Sequence, residues 1–178
     1  VMAFRPEASS LRPVMIHAQT VRRDQLERMK KLHMIPSFFI AHTYYWGDVH
    51  RKQLGKRAYA ISPARTALGL DLPYTFHQDT PVLPPDMRTV QCAVTRSTET
   101  GAVLGREECI SPLEALRGVT VNAAYQYFEE KEKGSIQVGK RADLVVLSAN
   151  PLKVPANEIG KIEVLVTIKE GSVQYRKA

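Results

Sequence analysis

Residues 13–18 read Pro-Val-Met-Ile-His-Ala, residues 35–41 read Ile-Pro-Ser-Phe-Phe-Ile-Ala, and residues 72–76 read Leu-Pro-Tyr-Thr-Phe. Each is a short apolar run without period-two alternation, the pattern of strands covered on both faces in a parallel sheet. Between the first and second runs, Val21 to Met34 sets Val21, Leu26, Met29 and Leu32 on roughly one helical face. Between the second and third, Ser62-Pro63 predicts a helix start, with serine as N-cap and proline at the first helical position. That helix is expected to run through Ala67 and Leu68 until Gly69. The order strand–helix–strand–helix–strand predicts an α/β fold, a parallel sheet with crossover helices.

Downstream, the breaker Pro84-Pro85 precedes a helical stretch around Met87 to Val94, and Thr98 to Gly105 reads as a loop. Ser111-Pro112-Leu113-Glu114 is a capping box with proline at the first position. The helix it opens is expected to bury Leu113, Leu116, Val119, Ala123 and Tyr127. From Gly134 the pattern turns to β: a strand Ala142 to Leu147 closed by Asn150-Pro151, then Val164–Ile168 and Val173–Arg176 around a Lys169-Glu-Gly-Ser172 hairpin turn. The expected organisation is an α/β layer over residues 1–133 and a small β unit over residues 134–178.

The 178 residues, 44% hydrophobic and 24% charged, suffice for a domain with its own core and exclude wholesale disorder. The densest apolar run, Ile35 to Ala41, is far short of the roughly 18–20 residues of a membrane helix. The chain opens Val1-Met2-Ala3-Phe4-Arg5-Pro6, with no signal-peptide h-region and no initiator methionine, and is expected to be part of something longer. Cys92 and Cys109 lie in no CxxC pair; the expectation is two reduced thiols in a cytoplasmic protein. The net charge of +7 is uneven: residues 1–60 hold 11 Lys+Arg against 4 Asp+Glu, and the remainder is balanced. No nucleic-acid motif accompanies that basic region, so a solvated face, or one that meets further acidic chain, is the simpler reading.

The five histidines, at 17, 33, 42, 50 and 77, form no HxH or HExxH pair. Their placement is more informative. His17 falls at the end of the first strand, His42 just after the second, and His77 and Asp79 just after the third. The carboxyl edge of a parallel sheet is where strand-to-helix loops carry polar groups together, so these residues are expected to converge. His33, on the back of a helix, reads as a surface residue. His50 either lines the same mouth or pairs with Asp48. Trp46, the single tryptophan, is more commonly a packing residue than a substrate platform.

The segments Arg12-Pro-Val-Met-Ile-His17-Ala-Gln19, His42-Thr-Tyr-Tyr-Trp-Gly-Asp-Val-His50 and Phe76-His-Gln-Asp79-Thr-Pro-Val82 resemble the amidohydrolase superfamily. The most specific match is Glu114-Ala-Leu-Arg117, Asn122-Ala-Ala124, Lys133-Gly-Ser-Ile136 and Gly139-Lys-Arg-Ala-Asp-Leu-Val-Val-Leu147. Within the superfamily the chain is similar to the amidohydrolase 3 branch, which includes the exoenzymes regulatory protein and related metal-dependent hydrolases. The resemblance covers nearly the whole chain, with its motifs in the family's order.

The resemblance implies a (β/α)8 barrel, of which this chain would hold the sixth, seventh and eighth strands, plus strands of a small β-sandwich built from both chain ends. It implies that His17 and Asp79 are metal ligands, Asp79 also the general base, and His42 the group that stabilises the developing oxyanion. His42, His77, Trp46 and His50 are the expected substrate contacts. The implied cofactor is a divalent metal, zinc by expectation, which acidifies a bound water. The implied reaction is hydrolysis of a non-peptide C–N bond in a small-molecule substrate. Ile16 departs from the pattern, since many relatives carry glutamate before this histidine.

The family's first-strand H-x-H pair, its bridging lysine or acid and its fifth-strand histidine are not in this sequence, and a whole barrel takes roughly 250 residues. The expectation is therefore the C-terminal part of an enzyme, partnered by the missing N-terminal part of the same protein, with weak metal binding and negligible hydrolysis by itself. Open sheet edges lead to the further expectation of a homo-oligomer. Two other classes stand beside this one. A regulatory or interaction protein retaining the fold would lack activity when intact, and a nucleic-acid binder using residues 1–60 would show salt-dependent DNA retention.

Overall fold

The computed structural model describes residues 10–81 and 86–178, so the Val1 start and the Pro84-Pro85 breaker lie outside the described residues. The first layer is a three-stranded parallel sheet of β1 (Val14–His17), β2 (Ile35–Phe38) and β3 (Thr75–Phe76), in that spatial order. Its register sets Val14 beside Ile35, His17 beside Phe38, and Phe38 beside Phe76. All three strands therefore end at one rim, as their sequence predicts.

Helix α1 (Arg23–Lys31) crosses from β1 to β2 and buries Leu26 and Met29. After β2 come two short helices, α2 (His42–Tyr45) and α3 (Gly47–Leu54), then α4 (Ala64–Gly69) before β3. Helices α5 (Arg88–Thr95) and α6 (Pro112–Val119) follow, and their Val90, Ala93 and Ala115 join Leu26, Phe38, Ile40, Leu72 and Phe76 in one core. The approach of α6 to β3 is close enough that a Cβ on Gly118 would meet the Phe76 ring at 2.7 Å. Arg12 clasps the layer shut: its guanidinium lies 3.7 Å from the Tyr125 ring centroid and 4.3 Å from that of Phe128. The same group pairs with both Glu130 oxygens, at 2.8 and 3.0 Å.

Several expectations change at the level of elements. The third strand pairs only over Thr75–Phe76 instead of Leu72–Phe76. Pro73 has no N–H to give a ladder, and the Leu72 N–H still closes α4 by donating to Ala67 C=O. Ser62 does not cap α4: it sits at φ 45°, and its Oγ is buried with no partner among the described residues. The helix opened by Ser111 has its capping box, yet it breaks at Thr120 (φ −125°, ψ −91°) and resumes as α7 (Val121–Gln126). Tyr127, past the break, is 67% exposed and Leu113 48% exposed, whereas Leu116 and Val119 pack half-buried on the core as expected, beside buried Ala115, Gly118 and Ala124. β1 is not covered on both faces either: Met15 and Ile16, which point to opposite faces, are 45% and 56% exposed, and no strand pairs with its outer edge among the described residues.

The β unit is an antiparallel sheet of β4 (Leu144–Leu147), β5 (Val164–Lys169) and β6 (Ser172–Arg176). Glu170 (φ 50°) and Gly171 (φ 81°) turn β5 into β6, the two positive angles of the tight hairpin turn that suits a twisted ladder. A 3-10 segment, Ala156–Lys161, anchors the unit on α5 through buried Ile159 and a Gly160 N–H to Gln91 Oε1 bond of 2.7 Å. Val145, Val146, Val173 and Tyr175 remain exposed on this sheet.

Candidate metal centre

The site grows from the carboxyl rim of the parallel sheet. At the end of β1 the chain turns within one residue: the Ala18 N–H donates to Ile16 C=O at 2.8 Å, with His17 between them at φ 62° and Ala18 at φ 42°. Left-handed angles at two consecutive residues with side chains are local strain, on the order of 1–3 kcal/mol each, of the kind that clusters at functional sites. At the end of β3 the His77 N–H continues the ladder by donating to Phe38 C=O at 3.1 Å. Buried Ser37 of β2 meets His77 Nδ1 at 2.9 Å, which leaves Nε2 facing Asp79.

The three side chains converge. His77 Nε2 lies 3.6 Å from Asp79 Oδ1, and His17 Nε2 lies 3.9 Å from Asp79 Oδ2. One ligand atom from each of His17, His77 and Asp79 falls within 4.8 Å of the others. Around the same point, His17 Nδ1, His42 Nδ1 and His77 Nε2 are buried with no hydrogen-bond partner among the described residues. Two imidazoles and one carboxylate, with nitrogens left unpaired, match the donor set of a divalent transition cation such as zinc. The sequence reading paired His17 with Asp79 and gave His77 to the substrate; the geometry brings His77 into the cluster with no rearrangement.

Beside the cluster stands an aromatic wall. His42, the first residue of α2, lies 4.6 Å from the Phe39 ring, 4.8 Å from Trp46 and 5.9 Å from His17. His50 on α3 stacks on His42 at 5.8 Å with the rings 13° apart, and its Nε2 meets Gln19 Nε2 at 2.9 Å. Asp48 does not pair with His50. It accepts from Thr98 Oγ1 at 3.0 Å and Thr100 Oγ1 at 2.9 Å, and lies 3.4 Å from Arg51. His50 therefore stands with His42 and Gln19 and not with Asp48. His33 is exposed at the far end, ahead of β2, as a surface residue.

Burial makes the imidazoles of His42, His77 and His50 poor bases. It pushes the His42 value down to about 4, helped by neighbouring His50 and His17. His77 is lowered chiefly by burial and then by His17, against the opposing pull of Asp79, and burial alone lowers His50. A neutral ring is the form that ligates a metal or donates a hydrogen bond without carrying charge. Sequence reasoning missed Ser37, Phe39 and Gln19. A serine inside an otherwise apolar strand was the available signal for Ser37; Gln19 and Phe39 carry none.

Residues 3–175 match the amidohydrolase family. The N-substituted formamide deformylase of Arthrobacter pascens is 31% identical over 135 residues, covering 74% of this chain and 25% of that protein. An uncharacterised metal-dependent hydrolase from Pyrococcus furiosus superposes with a TM-score of 0.65 at 28% identity, over 79% of this chain and 29% of that one. A second, from Pyrococcus horikoshii OT3, superposes with a TM-score of 0.69 at 25% identity, over 82% and 30% respectively. The chain thus spans between a quarter and a third of the length of these relatives.

Proposed function

The chain belongs to the amidohydrolase family, and on that premise we propose that it forms the metal-binding and proton-handling rim of a hydrolase that cleaves a non-peptide C–N bond in a small molecule. The observation that carries this reading is the convergence of His17, His77 and Asp79 within 4.8 Å at one rim, with His42 alongside. In the proposal, β1, β2 and β3 are the sixth, seventh and eighth strands of a (β/α)8 barrel, and the antiparallel sheet belongs to a β-sandwich completed by the rest of the protein.

His17, His77 and Asp79 would hold the ion, zinc by its fit to this N/O donor set. A divalent cation held there supplies an electrophile and lowers the pKa of a water to about 7. The other steps fall to the chain. Asp79 offers one carboxylate oxygen to take the water's proton and pass it to the leaving nitrogen. His42, neutral in the physiological range because burial holds it near 4, donates a hydrogen bond to the substrate carbonyl oxygen as negative charge builds there. Trp46, 36% exposed, and His50 offer a flat wall for the substrate beside His42. Ser37 fixes the His77 ring through Nδ1 and so presents Nε2.

A hydrolysis assay with zinc tests the reading. In a protein of the relatives' full length that contains this chain, Asp79→Asn is expected to lower amine release by about a thousandfold or more, since it removes the proton-transfer group. The 178 residues alone are expected to turn over formamides and cyclic amides negligibly. Undiminished release by the Asp79→Asn protein would overturn the proposal.

A further inference from the structure

Arg96 is wholly buried, sits at φ 52° at the end of α5, and makes no ion pair among the described residues. Its guanidinium spends its donors on backbone carbonyls: Ile61 at 2.6 Å, Ser62 at 3.1 Å and Leu104 at 2.5 Å. Glu108, the acid whose charge acts on Arg96 most, takes its hydrogen bonds from the Thr66 N–H and hydroxyl and not from the guanidinium. Burying a cation against carbonyls alone is costly, and a packed apolar side chain would serve stability at least as well. The contacts lead instead towards the candidate site, along two routes.

The first route runs through the backbone. The Ser62 carbonyl accepts from Arg96, and the Ser62 N–H donates to Gln19 C=O at 2.7 Å. The Gln19 side chain then meets His50 Nε2 at 2.9 Å. With the Gln19 amide nitrogen turned to the ring, as it is placed here, His50 Nε2 is the acceptor and the ring proton falls on Nδ1. The second route runs through the loop that Arg96 opens. Leu104 N–H donates to Arg96 C=O at 2.9 Å and Ser97 bridges to Val103, which closes the loop that carries Thr98 and Thr100. Those two hydroxyls hold Asp48, two residues ahead of His50 on α3. The helix is seated tightly on this loop, since a Cβ on Gly47 would meet Thr98 Cγ2 at 2.6 Å.

We propose that Arg96 is a positioning residue: by tying residues 61–62 to the 96–104 loop it fixes His50 as a neutral Nδ1–H donor facing the substrate. The inference rests on the reading of His50 as part of the substrate wall. Its test reads the ring itself and needs neither metal nor turnover, so it fails separately from the hydrolase reading.

Long-range proton–nitrogen spectra of the uniformly labelled chain at pH 8 report each imidazole's tautomer. The wild type is expected to show His50 locked as Nδ1–H. Arg96→Lys, folded by circular dichroism and cooperative melting, is expected to give His50 averaged nitrogen shifts, while His77, held by Ser37, keeps its wild-type signals. Gln19→Leu, which breaks the final link and leaves Arg96 in place, is expected to reproduce the His50 change. An Arg96→Lys protein with His50 unchanged, or with His50 and His77 altered together, would overturn the proposal. Should Arg96→Lys fail to fold, Gln19→Leu decides: altered His50 signals support the relay, and unaltered ones end it.

Discussion

At the scale of the residue, position in the chain brought the candidate groups to one rim, while local spacing could not group them. His17, His42, His77 and Asp79 were legible because each follows an apolar run, and parallel strands deliver such residues to one rim. That His77 joins His17 and Asp79 depends on which ring nitrogen Ser37 occupies, a contact across 40 residues that no local pattern encodes. The same holds for the Arg12–Glu130 pair, which spans 118 residues. The Arg12 guanidinium, through its hydrogen bonds, pulls the Glu130 carboxyl from 4.5 to about 2. A folded-state value below the unfolded one means that the pair stabilises fully above pH 4.5 and loses its contribution as the pH falls towards 2. The melting temperature of the wild type is therefore expected to fall more steeply over that interval than that of Glu130→Gln. Parallel curves for the two proteins would show that the pair is not formed in solution.

At the scale of the element, the Ser111 capping box matches the structure, whereas the Ser62 cap and the ends read from periodicity do not. Ser111 and Glu114 bond reciprocally, Glu114 N–H to Ser111 Oγ at 3.3 Å and Ser111 N–H to Glu114 Oε2 at 2.7 Å. Ser111→Ala is expected to cost about 1 kcal/mol in urea unfolding, and Glu114→Gln much less, because an amide oxygen still accepts. The continuation past Thr120 was not legible. Apolar spacing runs on smoothly, whereas the chain breaks there to bring Asn122 Nδ2 within 2.9 Å of the Tyr74 carbonyl and Gln126 within 2.7 Å of Thr75 Oγ1. Tertiary hydrogen bonds to Tyr74 and to Thr75 of β3 outweighed helical continuity. The Ser62-Pro63 signal misled in a similar way, because the Ser62 backbone is committed to Gln19 and Arg96.

At the scale of the whole molecule, the two sheets share one feature: apolar side chains face outward. Met15 and Ile16 on β1, and Val145, Val146, Val173 and Tyr175 on the antiparallel sheet, are each 45% exposed or more. Unpaired edges and apolar faces of this kind associate. Sedimentation velocity is expected to show concentration-dependent self-association of the chain, diminished by Ile16→Lys at the β1 edge; a clean monomer throughout would contradict it. The sequence carried the layer order and the change to β structure after Gly134, since both are written in periodicity and turn residues. It did not carry which faces would lie open, because that depends on neighbours no single strand specifies. The account's central claim, that His17, His77 and Asp79 form one cation site, is tested most directly by calorimetric titration of zinc into the wild type and four variants. The account predicts a single weak site, weakened further by about 10- to 100-fold or more in His17→Ala, His77→Ala and Asp79→Ala and unchanged in His33→Ala. Zinc bound equally well by all five proteins would contradict it.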